Sequence, residues 1–600
     1  MTPHGFPAGD EISGRHFDWR LFRRYLGLMR PWRGSALFAL LLLPLISAAK
    51  LAQPWLVMQL IDDAVVPGTL NRLPHWGGLL LGAVLLESLL LFVQGYLVQA
   101  LGQRIMAALR AEGFPRLLRL PAAWFDHHPS GRLVTRLTSD VENVGELFGS
   151  GVVAALGDLL TLALTVAAML WLDLHLSLVA FAVLPPLLGI LFLFRRSMRG
   201  AMRLVRARLA DLNAFVAERI AGIGEVRLFG QEERTLREFA GLQEVYRAST
   251  LRVISWDAFL YAAVEVLGAL AIAALLWRGG GEVIAGVASF GTLVAFLEYV
   301  QKFFAPLRDL SAKYSIVQAS NASLERIFNL ADQPAELSGS ALPGNDGEIR
   351  LERVSFSYDG ETPALQEIDL VIAPGERIAL VGATGSGKTT LGRLLLGFYR
   401  PQQGTIQVGG QPLAALDLDA WRERCAWVSQ EPFLFAGSLR DNLDPTGSCD
   451  DQGLLQLLGD CGLATTVAEL GGLRARLGER GRNLSSGERQ LLCLVRALVR
   501  RPRLLILDEA TSRLDAGTEG RVTTALRALP AECSMLLIAH RLRSARQAGR
   551  IVVLHRGRIC ESGSHSELLA RDGHYAKLWR LQDLGIDEEK VGDPVGLEGR

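Results

Sequence analysis

Gly382-Ala383-Thr384-Gly385-Ser386-Gly387-Lys388-Thr389 satisfies the pattern G-x-x-x-x-G-K-[ST]. A pattern this loose also arises by chance, so its flanks decide the reading. Arg377-Ile378-Ala379-Leu380-Val381 before it is a short apolar run, as a buried strand requires. Thr390-Leu391-Gly392-Arg393-Leu394-Leu395-Leu396 after it predicts a helix. A strand, a glycine loop and a helix in that order aim bare backbone N–H groups and a helix N-terminus at phosphate. In that setting Lys388 reaches the β- and γ-phosphates and the Thr389 hydroxyl ligates Mg²⁺. The predicted nucleotide contacts are Gly382, Ala383, Thr384, Gly385, Ser386, Gly387, Lys388, Thr389 and Thr390.

Further along, Leu504-Leu505-Ile506-Leu507-Asp508-Glu509 is an apolar strand ending in two carboxylates. Asp508 suits Mg²⁺, directly or through water. Glu509 is placed to accept a proton from an attacking water. Both readings gain their weight from the neighbouring phosphate loop.

The chain has 600 residues, enough for several domains, and 50% of them are hydrophobic. A net charge of +1 gives no bulk argument for a nucleic-acid partner. All six cysteines lie in the C-terminal part, without metal-ligand spacing, which reads as reduced cytosolic thiols. Only six of the 63 basic residues are Lys.

The apolar residues concentrate before about residue 310, in runs long enough to cross a bilayer, which takes about 20 residues. Six spans are predicted: 35–61, 77–100, 146–172, 174–194, 254–277 and 283–306. Basic residues orient them. Arg20, Arg23, Arg24, Arg30 and Arg33 precede the first span; Arg104, Arg110, Arg116, Arg119, Arg132 and Arg136 occupy the second connection. Arg195, Arg196, Arg199, Arg203, Arg206 and Arg208 open the fourth, whereas the other three connections hold only Arg72 and Arg278. The N-terminus, the long even-numbered connections and the C-terminal domain are therefore expected in the cytoplasm, the membrane being a bacterial inner membrane. Around Phe17 to Met29, Arg alternates with Trp19, Leu21, Phe22, Tyr25 and Leu26, as in a helix lying on the membrane surface. The expected organisation is an N-terminal segment with this helix (1–34), a six-span domain (35–332), a Pro- and Gly-rich linker (333–347), an ATPase domain (348–583) and a polar tail (584–600).

Further motifs carry a resemblance. Leu484-Ser485-Ser486-Gly487-Glu488, followed by Arg489-Gln490, resembles the Leu-Ser-Gly-Gly-Gln signature of ABC transporters. Over about residues 15 to 583 the chain resembles an exporter-type half-transporter, with its membrane domain fused before its ATPase. The fold this implies is a six-helix transmembrane domain followed by an α/β P-loop ABC ATPase domain. The resemblance implies that Tyr358 stacks on adenine and that Gln430 senses Mg²⁺ and the attacking water. It also implies that His540 contacts the γ-phosphate and that Ser512-Arg513-Leu514-Asp515 crosses between ATPase domains. Each ATP would lie between the phosphate loop of one chain and Ser485 and Gly487 of a second. The partner is then a second half-transporter, in a homodimer or a heterodimer, among membrane lipids.

Two departures stand in the signature: Ser486 for the first glycine and Glu488 for glutamine. The expectation is slower closure on ATP, with Glu488 adding an acid near the phosphates. Residues 120–133 (with Trp124 and Asp126) and 218–229 resemble the family's two coupling loops. Within the spans, Glu87, Asp158, Glu265 and Glu298 outnumber Lys50, which would suit a cationic amphipathic substrate. The function implied is ATP-driven export or flipping of amphipathic small molecules, drugs or lipids. The alternatives are a peptide exporter, or an ATP-gated channel or regulatory subunit, against which Glu509 and His540 argue.

Overall fold

The computed structural model describes residues 19–344, 347–508, 529–539 and 541–583, with positions 520, 522 and 526. These form two compact units, one of 19–118 and 131–333 and one of 119–130 and 334–583.

The first twelve helices are α1 (Trp19–Leu28), α2 (Arg33–Leu60), α3 (Leu73–Leu118), α4 (Ala122–Asp126), α5 (Ser130–Leu137), α6 (Ser139–Glu146), α7 (Ala154–Leu172), α8 (Leu174–Phe181), α9 (Leu184–Ala221), α10 (Ile223–Leu228), α11 (Glu232–Ile284) and α12 (Phe290–Ala331). All but α4 belong to the helical unit. Among the described residues, five helical stretches are long and apolar enough to cross a membrane. α12 falls short because Glu298, Gln301 and Lys302 interrupt its apolar half. On α3, Leu81, Leu85, Leu89 and Phe92 form an exposed stripe at helical spacing, a surface that suits hydrocarbon rather than water.

Two span boundaries differ from the sequence reading. The predicted span 174–194 is interrupted, with α8 ending at Phe181 and α9 restarting at Leu184. Pro185 and Pro186 supply the reason, since proline is compatible with a first helical turn but not with an interior. The predicted sixth span does not begin at residue 283: Val283 still belongs to α11, which ends at Ile284, and α12 starts at Phe290. Ser289 caps that start, accepting from the Thr292 backbone N–H at 2.9 Å. Asp62, in a wide turn after α2, accepts from the Gly291 N–H at 2.8 Å and ties the same end to α2. A Cβ at Gly291 would meet the Met58 carbonyl at 2.5 Å, so only glycine permits this approach.

The charges inside the helical unit also pair differently from the sequence reading. Asp158 is bound by Lys313, which lies beyond the predicted sixth span. Gln53 joins Glu87 to Lys302, donating to the carboxylate and accepting from the ammonium, the latter at 3.3 Å. Two of the four acids read from the spans are thus matched by lysine.

Among the described residues, the second unit has twelve strands: β1 (Ile349–Ser357), β2 (Pro363–Ile372), β3 (Arg377–Val381), β4 (Gln403–Val408), β5 (Gln411–Pro412), β6 (Cys425–Val428), β7 (Gly437–Ser438), β8 (Arg476–Leu477), β9 (Leu504–Asp508), β10 (Ser534–Ile538), β11 (Arg550–His555) and β12 (Arg558–Gly563). An antiparallel sheet runs β2-β1-β4-β5, and a larger sheet runs β12-β11-β3-β10-β9-β6. The larger sheet is parallel from β11 to β6. Its inner strands β9 and β10 are buried along their whole length, which explains their unbroken apolar sequence. Leu380, Ile538 and Asp508 stand in register across it. The phosphate loop therefore follows a strand that ends, with β9 and β10, along one carboxyl edge, where ligands bind in open α/β sheets.

Residues 334–344 lie in extended form on this unit. The Gly339 N–H donates to Leu416 O at 2.9 Å, and the Ala341 N–H to Ala415 O at 3.1 Å. Glu336 accepts two bonds from Arg422, at 2.6 and 2.7 Å. The segment read as a linker is thus stitched to the unit it precedes, at residues 415–422.

Candidate nucleotide-binding site and coupling helices

The phosphate loop joins β3 to the helix Lys388–Leu395. Its shape depends on glycine at two positions. Gly382 has φ +151°, and a Cβ there would meet Leu554 O at 2.1 Å; Gly387 has φ +102°, and its Cβ would meet Ala364 O at 2.6 Å. Gly385, at φ +81°, faces open space. Lys388 is buried and donates to Gly382 O at 2.7 Å and Ala383 O at 2.8 Å, so its ammonium sits inside the loop. The Ser386 hydroxyl is buried without a protein partner. Thr389 Oγ1 donates to Asp508 Oδ2 at 3.1 Å, which brings two oxygens on separate elements to one point. Thr384 lies in the loop, and buried Thr390 sits in the first turn of the helix. A Cβ-free cradle, an unpartnered buried hydroxyl and a hydroxyl–carboxylate pair together fit a phosphate chain and a hard divalent cation.

Tyr358 follows β1 and is 40% exposed, its hydroxyl donating to Thr390 Oγ1 at 3.1 Å. It packs edge-to-face on Phe356, centroids 5.0 Å apart, and on Tyr399, 5.3 Å apart. Gln430 is exposed just beyond β6, the strand beside β9. Glu509, His540 and Ser512 to Asp515 lie outside the described residues.

The signature segment forms the start of the helix Ser486–Val499. Ser485 is its cap, and Glu488 closes a capping box. The Glu488 carboxylate accepts from the Ser485 N–H at 2.8 Å and from the Thr466 hydroxyl at 3.1 Å. These bonds, the one to Ser485 first, hold its pKa below the usual glutamate value. The acid that the sequence reading aimed at the phosphates is thus turned back onto its own helix. Ser485 and Ser486 are exposed at the tip, and Gly487 lies just inside. Glu488→Gln retains an acceptor for the box and removes one negative charge from this end. Should this end face a second chain's nucleotide, as the resemblance implies, the change is expected to lower the KM for ATP about two- to fivefold, the effect of one solvent-screened charge at roughly 8 Å. A steady-state ATPase titration checks this.

Two short helices interrupt the long ones. α4 belongs to the sheet-bearing unit: Trp124 is 1% exposed, stacked on His128 at 3.8 Å, and Ala123 packs against the sheet core. The Tyr399 hydroxyl donates to Asp126 at the end of α4. α10, by contrast, leaves Ile223 and Leu228 exposed, as is Phe229 just after it. The sequence reading missed Tyr399, which lies in Phe398-Tyr399-Arg400-Pro401 with no motif to single it out.

The family model for the ABC transporter transmembrane region matches residues 36–307, and the ABC transporter model matches residues 365–512. An ATP-dependent lipid A-core flippase of Thiobacillus denitrificans is 35% identical over 572 residues, covering 94% of this chain and 98% of that protein. The chain belongs to the ABC transporter family. It is a membrane protein whose sheet-bearing unit hydrolyses ATP to drive transport. A multidrug efflux ATP-binding/permease protein of Mycobacterium bovis is 33% identical, over 96% of this transporter but 48% of that protein. A solved bacterial Atm1-family ABC exporter with ATP bound superposes with a TM-score of 0.77 at 24% identity, covering 92% of this chain and 99% of that one, a likeness of fold. As a half-transporter, the chain works as a dimer with another chain.

Proposed function

We propose that this transporter exports or flips amphipathic lipids or drugs across a bacterial inner membrane, with its N-terminus and ATPase unit in the cytoplasm. The observation that carries the ATP-dependent part is the meeting of Thr389 and Asp508 at 3.1 Å beside the glycine cradle. MgATP suits that cradle. The Lys388 ammonium and the loop N–H groups hold the β- and γ-phosphates, and Thr389, Asp508 and Gln430 hold the metal. Bound Mg²⁺ supplies positive charge to the phosphate oxygens. Tyr358 stacks on adenine. Glu509 accepts the proton of the attacking water, which Gln430 and His540 orient.

Ser485 and Gly487 complete the site of the partner chain, which is a second copy or a sister chain. The contrast between buried Trp124 and exposed Ile223 and Phe229 favours a crossed arrangement, in which α4 reports on its own ATPase unit and α10 docks on the partner's. Closure of two such units then swings the helices in each subunit. The substrate class rests on the flippase and efflux relatives. With Asp158 paired to Lys313 and Glu87 joined to Lys302 through Gln53, the helical unit does not single out a cationic head.

Purified protein in nanodiscs should show vanadate-sensitive ATPase activity that rises with some members of a lipid and drug panel. The Glu509→Gln protein should bind ATP without turnover. Vanadate-sensitive hydrolysis that no amphiphile alters and that accompanies no movement of labelled lipid would overturn the export reading.

A further inference from the structure

The transporter's adenine platform and α4 are linked by one ring and one hydrogen bond, and nothing in the phosphate chemistry requires this link. Tyr358, Tyr399 and Phe356 form a three-membered edge-to-face cluster, with Phe356 and Tyr399 centroids 5.2 Å apart. Such contacts are directional, so moving one ring disturbs the next. Tyr399 is 8% exposed, and its hydroxyl donates to the Asp126 carboxylate. Arg393, on the phosphate-loop helix, sits against the Tyr358 hydroxyl and feels the charge of Asp126. Burial, and then the neighbouring carboxylate, push the Tyr399 phenol well above its ordinary pKa. Asp126 is itself exposed, on a helix that Trp124 anchors in the unit. In sequence α4 lies between the long helix α3, which ends at Leu118, and the short helix α5.

We infer that Tyr399 is a positioning residue that couples adenine binding at Tyr358 to α4 through Asp126, within one chain and independently of the γ-phosphate. The inference rests on the reading of Tyr358 as the adenine platform. A nucleotide that stacks on Tyr358 fixes the Tyr399 ring, and the ring fixes the Asp126 end of α4. By linkage the reverse holds: a displacement of α4 loosens the platform and weakens nucleotide binding, leaving the hydrolytic step alone.

The test uses the full-length protein in nanodiscs. Tyr399→Phe keeps the ring and removes only the hydroxyl. It is expected to raise the KM for ATP about five- to tenfold, a coupling within the usual range, with kcat changed less than about twofold. Asp126→Ala should give the same shift. The double variant should be no worse than the worse single, because both remove one interaction. Hydrogen exchange supplies the second readout. ADP should slow exchange of the peptide spanning residues 122–128 in the natural protein and leave it unchanged in Tyr399→Phe.

Additive KM shifts, parallel losses in kcat, or ADP protection of residues 122–128 that survives Tyr399→Phe would each overturn the inference. Tyr358→Ala separates this outcome from failure of the site itself. If that variant leaves the KM for ATP unchanged, the platform reading fails. If it raises KM while Tyr399→Phe does not, only the coupling fails.

Discussion

Lys388→Met should reduce ATP hydrolysis by about 10²- to 10³-fold, the loss expected when a preorganised charge is removed from a reacting phosphoryl group. The argument starts from where the ammonium sits. It is buried at the first turn of a helix and held between Gly382 O and Ala383 O, inside a loop whose φ angles only glycine adopts comfortably. Lysine is a compact point charge with three donors, so it can bond the loop and still face a phosphate. Methionine retains the length and the apolar stem, and the two carbonyls it abandons belong to a loop open to water at Gly385. The fold should therefore survive. Circular dichroism and thermal unfolding should match the natural protein while phosphate release collapses. Hydrolysis within tenfold of the natural rate would show that Lys388 is not the phosphate clamp.

This loop was legible because its chemistry is local: eight consecutive residues with an apolar strand before and a helix after. Glu488 was half legible. Ser485-Ser486-Gly487-Glu488 has the S-x-x-E spacing of a capping box. Comparison with a family signature drew attention to the phosphates instead, and the capping geometry shows where the carboxylate goes. The interruption at Pro185 and Pro186 was also written in the sequence, but hydropathy averaged over a window conceals a break of two residues. Contacts between distant segments were not legible. Lys313 and Asp158 are 155 residues apart, and Tyr399 and Asp126 are 273 apart. Periodicity names the face on which each residue stands, and topology decides which face it meets. An account of charge drawn from the spans therefore overstated the acids: it left out Lys302, inside the sixth predicted span, and Lys313 lay past that span's end.

Asp140 shows how much stability such an unreadable contact carries. It is 6% exposed on α6 and accepts from Ser323 Oγ at 2.9 Å and from Arg326 Nε at 2.8 Å, both on α12. Ser320 Oγ donates to Asn143 O at 2.6 Å and Asn143 Nδ2 to Ser323 Oγ at 3.1 Å, so the network pins one face of α6 to α12. Breaking a buried pair by removing one partner costs more than the pair contributes, because the remaining charge stays desolvated. The Arg326 side chain retains 26% exposure, which reduces that penalty. Asp140→Ala should therefore destabilise the helical unit by about 2–4 kcal/mol. Asp332→Ala is the natural comparison. Its partner Arg24 lies 2.7 Å away, but the side chains are 41% and 59% exposed, and exposed pairs contribute about 0–1 kcal/mol. Thermal unfolding in one detergent should rank Asp140→Ala well below Asp332→Ala, with Asp140→Asn between them because it keeps one acceptor. Equal melting temperatures for the two alanine variants would mean that water reaches Arg326 and that the pinning of α6 to α12 rests on apolar contacts such as Val144 and Leu324.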